Sequence, residues 1–494
     1  MTFNSWQFLL FLPITIILNF LLPHKFRWII LLIASYVFYC FWNPALIFLI
    51  LTTTLVSYVG AIVIEKSNKK PIKRSALIFS LIISFGFLIF FKYINFLIAS
   101  VIDFLNLFSL KLDSITLNVI LPVGISFYTF QTASYVIDVY KGKDKAEKHF
   151  GYYALYVSFF PQLVAGPIEK ASFLLPQLKE ERKFNADNLI SGSKIAIIGF
   201  LKKICIADVL SIFVNNVFSD LSKTNSLSIY LAGALFMVQM YCDFSAYSEI
   251  AMGSARMIGV KLSKNFDEPF LSRSVGEFFR RWHITLNQWL TEYIYIPLGG
   301  SRKGFVRRLF NVFIVFTVCG LWHGANWTFL LWGWYCGGFM IIELFLRPWI
   351  KKLDDLEGYK LQIVNFLRRC YVFFIVLVPG ALMFRAQSVA EIGTIFNTIF
   401  TGFNNNFFTF AANNLGINLA STIYILLFIL GLYFIDKLCK QNMDFPPVIN
   451  QNSLTISRSY SEYIMFAAFI VLISLIWVYL SQSNLISEFV YFQF

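Results

Sequence analysis

Charge is scarce and unequally shared. Only 14% of the 494 residues are charged, with 27 Asp and Glu against 41 Lys and Arg, where a soluble chain carries about 25% charged residues. Too few are present to clothe an ordinary soluble globule of this length. The seven cysteines (Cys40, Cys205, Cys242, Cys319, Cys336, Cys370 and Cys439) make no CxxC pair and no zinc spacing. That excludes a disulfide framework and a structural metal; most sit in apolar runs as small hydrophobes. No G-x-S-x-G, P-loop or H-E-x-x-H is present, which removes the serine-hydrolase elbow, the nucleotide cradle and the zincin site. The opening MTFNSWQFLLFLPITIILNFLL has no basic segment before its apolar run and no A-x-A after it, so it reads as a retained span rather than a signal peptide. Histidine is scarcest of all: His24, His149, His283 and His323.

What fills the space is apolar. Hydrophobic residues make up 58% of the chain and Phe alone contributes 57. Apolar runs recur from residue 6 to residue 481, and a spanning helix needs about 20 such residues. Candidate spans are 6–22, 28–42, 44–64, 75–97, 119–138, 189–218, 227–250, 309–324, 326–346, 370–387, 419–436 and 463–481. The basic residues lie between the spans, as the positive-inside rule produces, and no basic soluble module is present. The lipid bilayer is therefore the expected partner and nucleic acid is not. HKFR (24–27), EKSNKKPIKR (65–74), KGKDKAEK (141–148), SRKGFVRR (301–308) and the segment 347–369 belong on the cytoplasmic side; 388–418, without Lys or Arg, belongs outside. Both termini then fall outside.

Two stretches fit no simple span. Residues 151–168 are broken by Pro161, Gly166 and Pro167, and 275–300 mix EFFRRWHITLNQW with IYIPLGG. Both read as re-entrant or interfacial, and such backbone is tolerated only where protein or water satisfies it. Residues 437–461 read as a polar cytoplasmic loop. The expected fold is all-α and polytopic, with about 11 or 12 transmembrane helices, one membrane domain over 1–494 and an extracytoplasmic tail over 482–494. Neither a transporter-type repeat nor a large soluble domain is apparent.

Polar groups inside spans are costly and mark partners or cavities. In MYCDFSAYSEIA (240–251), Asp243 and Tyr247 share a helix face at i,i+4 and Glu249 does not. Asp243 either ties helices together or lines a site. In FFRRWHITLNQWL (278–290), Arg280, Arg281 and His283 flank Trp282. The arginines either anchor at headgroup level or bind anionic phosphates. His323 lies in LWHGANW (321–327), between two apolar runs. It is either a hydrogen-bonded core histidine or a neutral base that takes a proton from a hydroxyl. Gly324 permits close backbone approach, Asn326 offers donors to a developing oxyanion, and Trp322 stands beside the ring.

FNSWQFLLFLPI at the start, LPVGISFYTFQTASYVIDVYKG (121–142), FFPQLVAGPI (159–168), DFSAYSEIA, FRRWHITLNQWLTEYIYIPLGGSRKG (279–304) and GLWHGANWTFLLWG (320–333) occur in this order. Together they resemble the membrane-bound O-acyltransferase family, in its bacterial branch of alginate and peptidoglycan O-acetyltransferase membrane subunits and teichoic acid D-alanyl transfer proteins. The resemblance covers most of the chain. It implies a ring of tilted helices around a central funnel in the bacterial inner membrane. His323 would match the membrane-embedded catalytic histidine and His283 the second motif histidine. The reaction would move an acyl group from a cytoplasmic thioester, with acetyl-CoA the expected donor and no bound cofactor or metal. An extracytoplasmic partner of the SGNH-hydrolase type would complete delivery to a polysaccharide.

The tail SEFVYFQF holds Phe489-x-Tyr491-x-x-Phe494, similar to a C-terminal signature of this branch, which makes Tyr491 either an acyl relay or an interfacial aromatic. The chain departs from the pattern at Cys336, where a histidine is common, and at Thr291-Glu292, where Arg-Asp is common. Acetylation of peptidoglycan or alginate, D-alanyl or other acyl transfer, transport without chemistry, and a scaffold without turnover are the readings carried forward.

Overall fold

The computed structural model describes residues 1–108, 112–113, 115–404, 406–418, 421–423, 426 and 431–432. Among them there are helices and turns and no β-strand, as the apolar patterning predicts. Six helices are long and apolar enough to cross a membrane: Pro44–Lys66, Lys70–Asn106, Ser226–Met257, Phe305–His323, Trp327–Asp354 and Gly358–Arg385. Several predicted spans take another form. Of residues 28–42, those up to Cys40 belong to His24–Cys40, a helix of 17 residues, and the last two form a turn. The run 189–218 is an α-helix, Ala186–Leu201, a π turn, Lys202–Ala207, and a second helix, Asp208–Phe218. The run 119–138 becomes a helix only at Ile125, after Gly124 turns the chain at φ 75°. The predicted span 463–481, the loop 437–461, the tail with Tyr491 and most of 419–436 lie outside the described residues.

The chain forms two compact units. The first comprises Met1–Lys183, Val260–Lys264 and His283–Ile341; the second comprises Phe184–Gly259, Asn265–Trp282 and Ile342 onward.

In the first unit the stretch 151–168 is a short helix, Phe150–Ser158, followed by turns. Its residues are buried apart from Tyr152. Irregular backbone in so dry a place needs side-chain partners, and these are present. Ser35 Oγ accepts Phe160 N–H at 3.0 Å, Thr285 Oγ1 accepts Ile168 N–H at 3.0 Å, and the amides of Gln131 and Gln162 donate to Tyr156 C=O at 2.9 and 2.8 Å. Glu169 is held in the same region by Ser263, whose N–H and hydroxyl both donate to its carboxylate.

The second unit is organised around Ser226–Met257, which is buried along most of its length and packs on Ala186–Leu201. Asn225 caps it, accepting Ser228 N–H at 2.8 Å while the Ser228 hydroxyl accepts Asn225 N–H at 2.9 Å. The π turn beside it carries Lys202 and Lys203, both 0% exposed. Lys203 Nζ lies 2.8 Å from Asp208 and 2.8 Å from Asp243, and Lys202 Nζ lies 2.5 Å from Glu249. An unpaired buried charge is far costlier than a paired one, so these contacts permit a helix with two carboxylates to sit inside packed protein.

Two measurements follow from this packing. Lys203→Met leaves Asp208 and Asp243 without their shared cation, and the expected loss is about 3–5 kcal/mol of stability, read as a lower melting temperature of the purified chain in detergent; an unchanged melting temperature would contradict the pairing. Burial raises the Glu169 carboxyl to about 7 despite its bonds from Ser263. Its folded value thus exceeds the unfolded one, so the group adds stability below the unfolded value of 4.5 that is lost as pH climbs through 7. The full difference is about 3 kcal/mol. The melting temperature should fall over this interval, and Glu169→Gln should flatten that fall.

Candidate active site

The stretch LWHGANW is the corner of a helical hairpin. His323 is the last residue of Phe305–His323, and the next helix begins at Trp327. Asn326 Oδ1 accepts Thr328 N–H at 3.0 Å at its start. The corner is tight because the two helices touch through backbone: a Cβ on Gly333 would fall 2.4 Å from Phe316 C=O. Gly324 has a related role, since a Cβ there would meet the Phe329 ring at 2.0 Å.

His323 is 8% exposed and His283 1% exposed. They belong to one aromatic chain within the first unit. The His323 ring stands edge-on to Trp332 at 5.0 Å and to Trp322 at 5.1 Å between centroids. Trp322 in turn stands 5.3 Å from His283. The His283 ring lies nearly parallel to Phe127, 6.3 Å away, and Phe127 meets Trp322 edge-on at 5.3 Å. Phe130 stacks on Trp289 at 3.8 Å, and Trp289 Nε1 donates to Phe130 C=O at 3.0 Å. Rigid rings therefore surround both imidazoles and leave their directions little freedom.

His283 has a left-handed backbone, φ 46° and ψ 55°. A non-glycine residue there is strained, and such strain gathers at functional sites. It persists because His283 opens the helix Ile284–Leu290, its C=O accepting Asn287 N–H at 3.1 Å and the Asn287 side-chain amide at 3.2 Å.

The far end of the His323 helix shows a complete accounting. The last four carbonyls of a helix have no partner within it. Here Gly320 C=O accepts Gly324 N–H at 3.4 Å, Leu321 C=O accepts the Tyr93 hydroxyl at 2.7 Å, and Lys92 Nζ donates to Trp322 C=O at 2.6 Å and to His323 C=O at 3.2 Å. Lys92 and Tyr93 occupy a π turn, Ile89–Tyr93, within the helix Lys70–Asn106.

The structure thus brings His283, Trp322, His323 and Asn326 into one unit. Asp243, Tyr247, Arg280 and Arg281 belong to the other. Arg280 is exposed, and Arg281 pairs with Glu277 at 2.8 Å. Their helix, Val275–Arg281, is seated by Ser274 Oγ, which accepts Glu277 N–H at 3.0 Å, and by Glu343, which accepts Val275 N–H at 2.6 Å and Gly276 N–H at 3.1 Å. A carboxylate at a helix N-terminus is favourable. Near the first unit's π turn Thr291–Tyr295, Lys143 and Lys170 both hold Glu292. Burial opposes ionisation of Glu292, yet the two ammonium groups keep its carboxyl below the usual range, and Glu292 holds the Lys143 ammonium above its own.

Lys92, Tyr93, Phe127 and Trp332 are absent from the sequence candidates. The rule that picks out Asp243, a polar group inside an apolar span, applies equally to Lys92. No sequence pattern reveals that Phe127 and Trp332 reach the histidines.

The profile of the membrane-bound O-acyltransferase family matches residues 148–384. A probable alginate O-acetylase of Pseudomonas putida is 36% identical over 407 residues, 81% of this chain and 80% of that protein. A peptidoglycan O-acetyltransferase of Helicobacter pylori is 36% identical over 331 residues, 61% of this chain and 62% of its own. A teichoic acid D-alanyltransferase of Bacillus subtilis is 26% identical over 274 residues, 52% and 69% respectively. With its apolar helices, its paired histidine blocks and these relatives, the chain belongs to the membrane-bound O-acyltransferase family and is a multi-pass membrane O-acyltransferase.

Proposed function

We propose that this chain is an O-acetyltransferase of the bacterial inner membrane, taking acetyl from cytoplasmic acetyl-CoA and passing it outward for O-acetylation of an exported or cell-wall polysaccharide. The observation that carries the reading is the aromatic chain joining His283, Trp322 and His323, each ring buried and fixed. The relatives named as alginate O-acetylase and peptidoglycan O-acetyltransferase match more of the chain, at higher identity, than those named for D-alanyl transfer, which supports acetyl over D-alanyl.

In this reading His323 is the general base. It takes the proton of an attacking hydroxyl as the oxygen bonds to the thioester carbonyl carbon. The C–S bond then breaks, and the proton passes from the imidazole to the departing thiolate, giving free CoA. Asn326 steadies the transient oxyanion, and His283 and Trp322 shape the approach. The first acceptor is the phenol of Tyr491, whose ester is reactive enough to be cleaved again. An extracytoplasmic partner of the SGNH type then attacks that ester and carries acetyl to the polymer. The distribution of basic loops in the sequence, which puts the tail on the outer side, supports this role.

Two variants test it. His323→Ala should lower CoA release from acetyl-CoA by about 10²–10⁴-fold, the usual worth of a general base, in proteoliposomes holding equal amounts of folded protein; wild-type release would remove His323 from the chemistry. Tyr491→Phe should abolish polymer acetylation in cells that also express the partner, measured as base-labile acetate on the exported polysaccharide. Wild-type acetate with Tyr491→Phe would remove the relay and leave His323 standing.

A further inference from the structure

A lysine inside an apolar helix has to be explained. Lys92 lies within Lys70–Asn106, the longest of the six candidate spans. A charge there costs roughly 2.5–3.5 kcal/mol on insertion scales, and such residues face a cavity or a partner. Among the described residues no carboxylate pairs with it; its ammonium reaches Trp322 C=O, His323 C=O and, at 3.5 Å, Ser126 Oγ. A capping glycine or asparagine could end a helix without burying a charge. The cation is therefore better explained by what it holds than by the need to end a helix.

Three features make the contact specific. First, the π turn at Ile89–Tyr93 brings two successive side chains onto the same target, whereas neighbours on a regular α-helix point in different directions. Tyr93 takes Leu321 C=O and Lys92 takes the next two carbonyls, so side chains from one turn cap three consecutive residues ending at His323. Second, the sign is right: a cation is favoured at a helix C-terminus, where the carbonyl ends carry partial negative charge. Third, Ser126 adjoins Phe127, which lies against His283. One ammonium thus touches the backbone of one histidine and the residue next to the packing partner of the other.

We infer that Lys92 is a positioning residue for acyl transfer: its ammonium, seconded by the Tyr93 hydroxyl, fixes the helix end that aims the His323 ring. The inference rests on the reading of His323 as the base. Lys92 touches backbone rather than the reacting atoms, so its loss misaims the base without removing it. Small displacements of a catalytic group are costly in rate.

The test measures kcat and KM for acetyl-CoA with the full chain in proteoliposomes, counting only protein that elutes as a folded species. Lys92→Met should lower kcat at least tenfold with KM within twofold of wild type. Lys92→Arg, which keeps a charged donor able to reach two carbonyls, should recover at least a third of wild-type kcat. Tyr93→Phe, which removes one hydroxyl and keeps the ring, should lower kcat three- to tenfold at unchanged KM. A merely structural role would reduce the folded fraction and leave kcat per folded molecule alone. Wild-type kcat in Lys92→Met overturns the inference; so does wild-type kcat in Tyr93→Phe, should Lys92→Met fail to accumulate. His323→Ala measured beside them separates the two ideas. If it turns over normally, the reading of His323 fails and this inference with it; if it is inactive while Lys92→Met is fully active, only the inference fails.

Discussion

The end of the helix that carries His323, the base in the proposed reaction, is the constraint that the fold around it has to satisfy. A helix must hand its last four carbonyls to someone else, and inside an apolar layer water is not available to take them. This chain supplies Gly324 N–H, the Tyr93 hydroxyl and the Lys92 ammonium, and every one of the four carbonyls is satisfied. The helix can therefore end in mid-structure with a histidine as its last residue. The corner that follows needs no bulk at Gly324, because the Phe329 ring fills that space.

The same demand recurs elsewhere. The π turn Lys202–Ala207 holds two lysines against Asp208, Asp243 and Glu249; the π turn Thr291–Tyr295 holds Glu292 between two lysines and sends the Tyr293 hydroxyl to Asp138. A fourth, Tyr371–Leu377, leaves Phe374 C=O to accept the Tyr230 hydroxyl at 2.6 Å. A π turn breaks the regular i→i−4 ladder, so it frees backbone groups and re-aims side chains. Each of these turns sits where a side chain of another segment supplies the missing partner or where charges meet.

Much of this was legible from sequence, and the reasons for the rest are physical. Apolar length alone marks the helices, because a run of some 20 apolar residues has few other uses. Family resemblance singles out His323 and His283, which the fold brings into one aromatic chain, and the acyltransferase relatives set aside the transporter and scaffold readings. The π turns leave no trace in composition, so 189–218 reads as one span when it is a helix, a π turn and a helix. Asp243 stands out as a charge in an apolar run, but its partner does not: Lys203 lies forty positions away in the chain. Lys92 is visible by the same criterion, yet its meaning depends on a contact with residues 230 and 231 positions later. The strained backbone at His283 is likewise a product of tertiary packing, since nothing in RRWHIT calls for a left-handed residue.

In the proposed reaction, acyl transfer takes place at the His323 ring. The most direct measurement is a cryo-electron-microscopy structure of the full chain with a non-hydrolysable acetyl-CoA analogue in which a methylene replaces the thioester sulfur. The ketone carbon is expected beside His323, close enough that a hydroxyl hydrogen-bonded to the imidazole sits about 3–3.5 Å from it. A well-occupied analogue whose ketone lies away from His323, with no room for a hydroxyl between them, would contradict it.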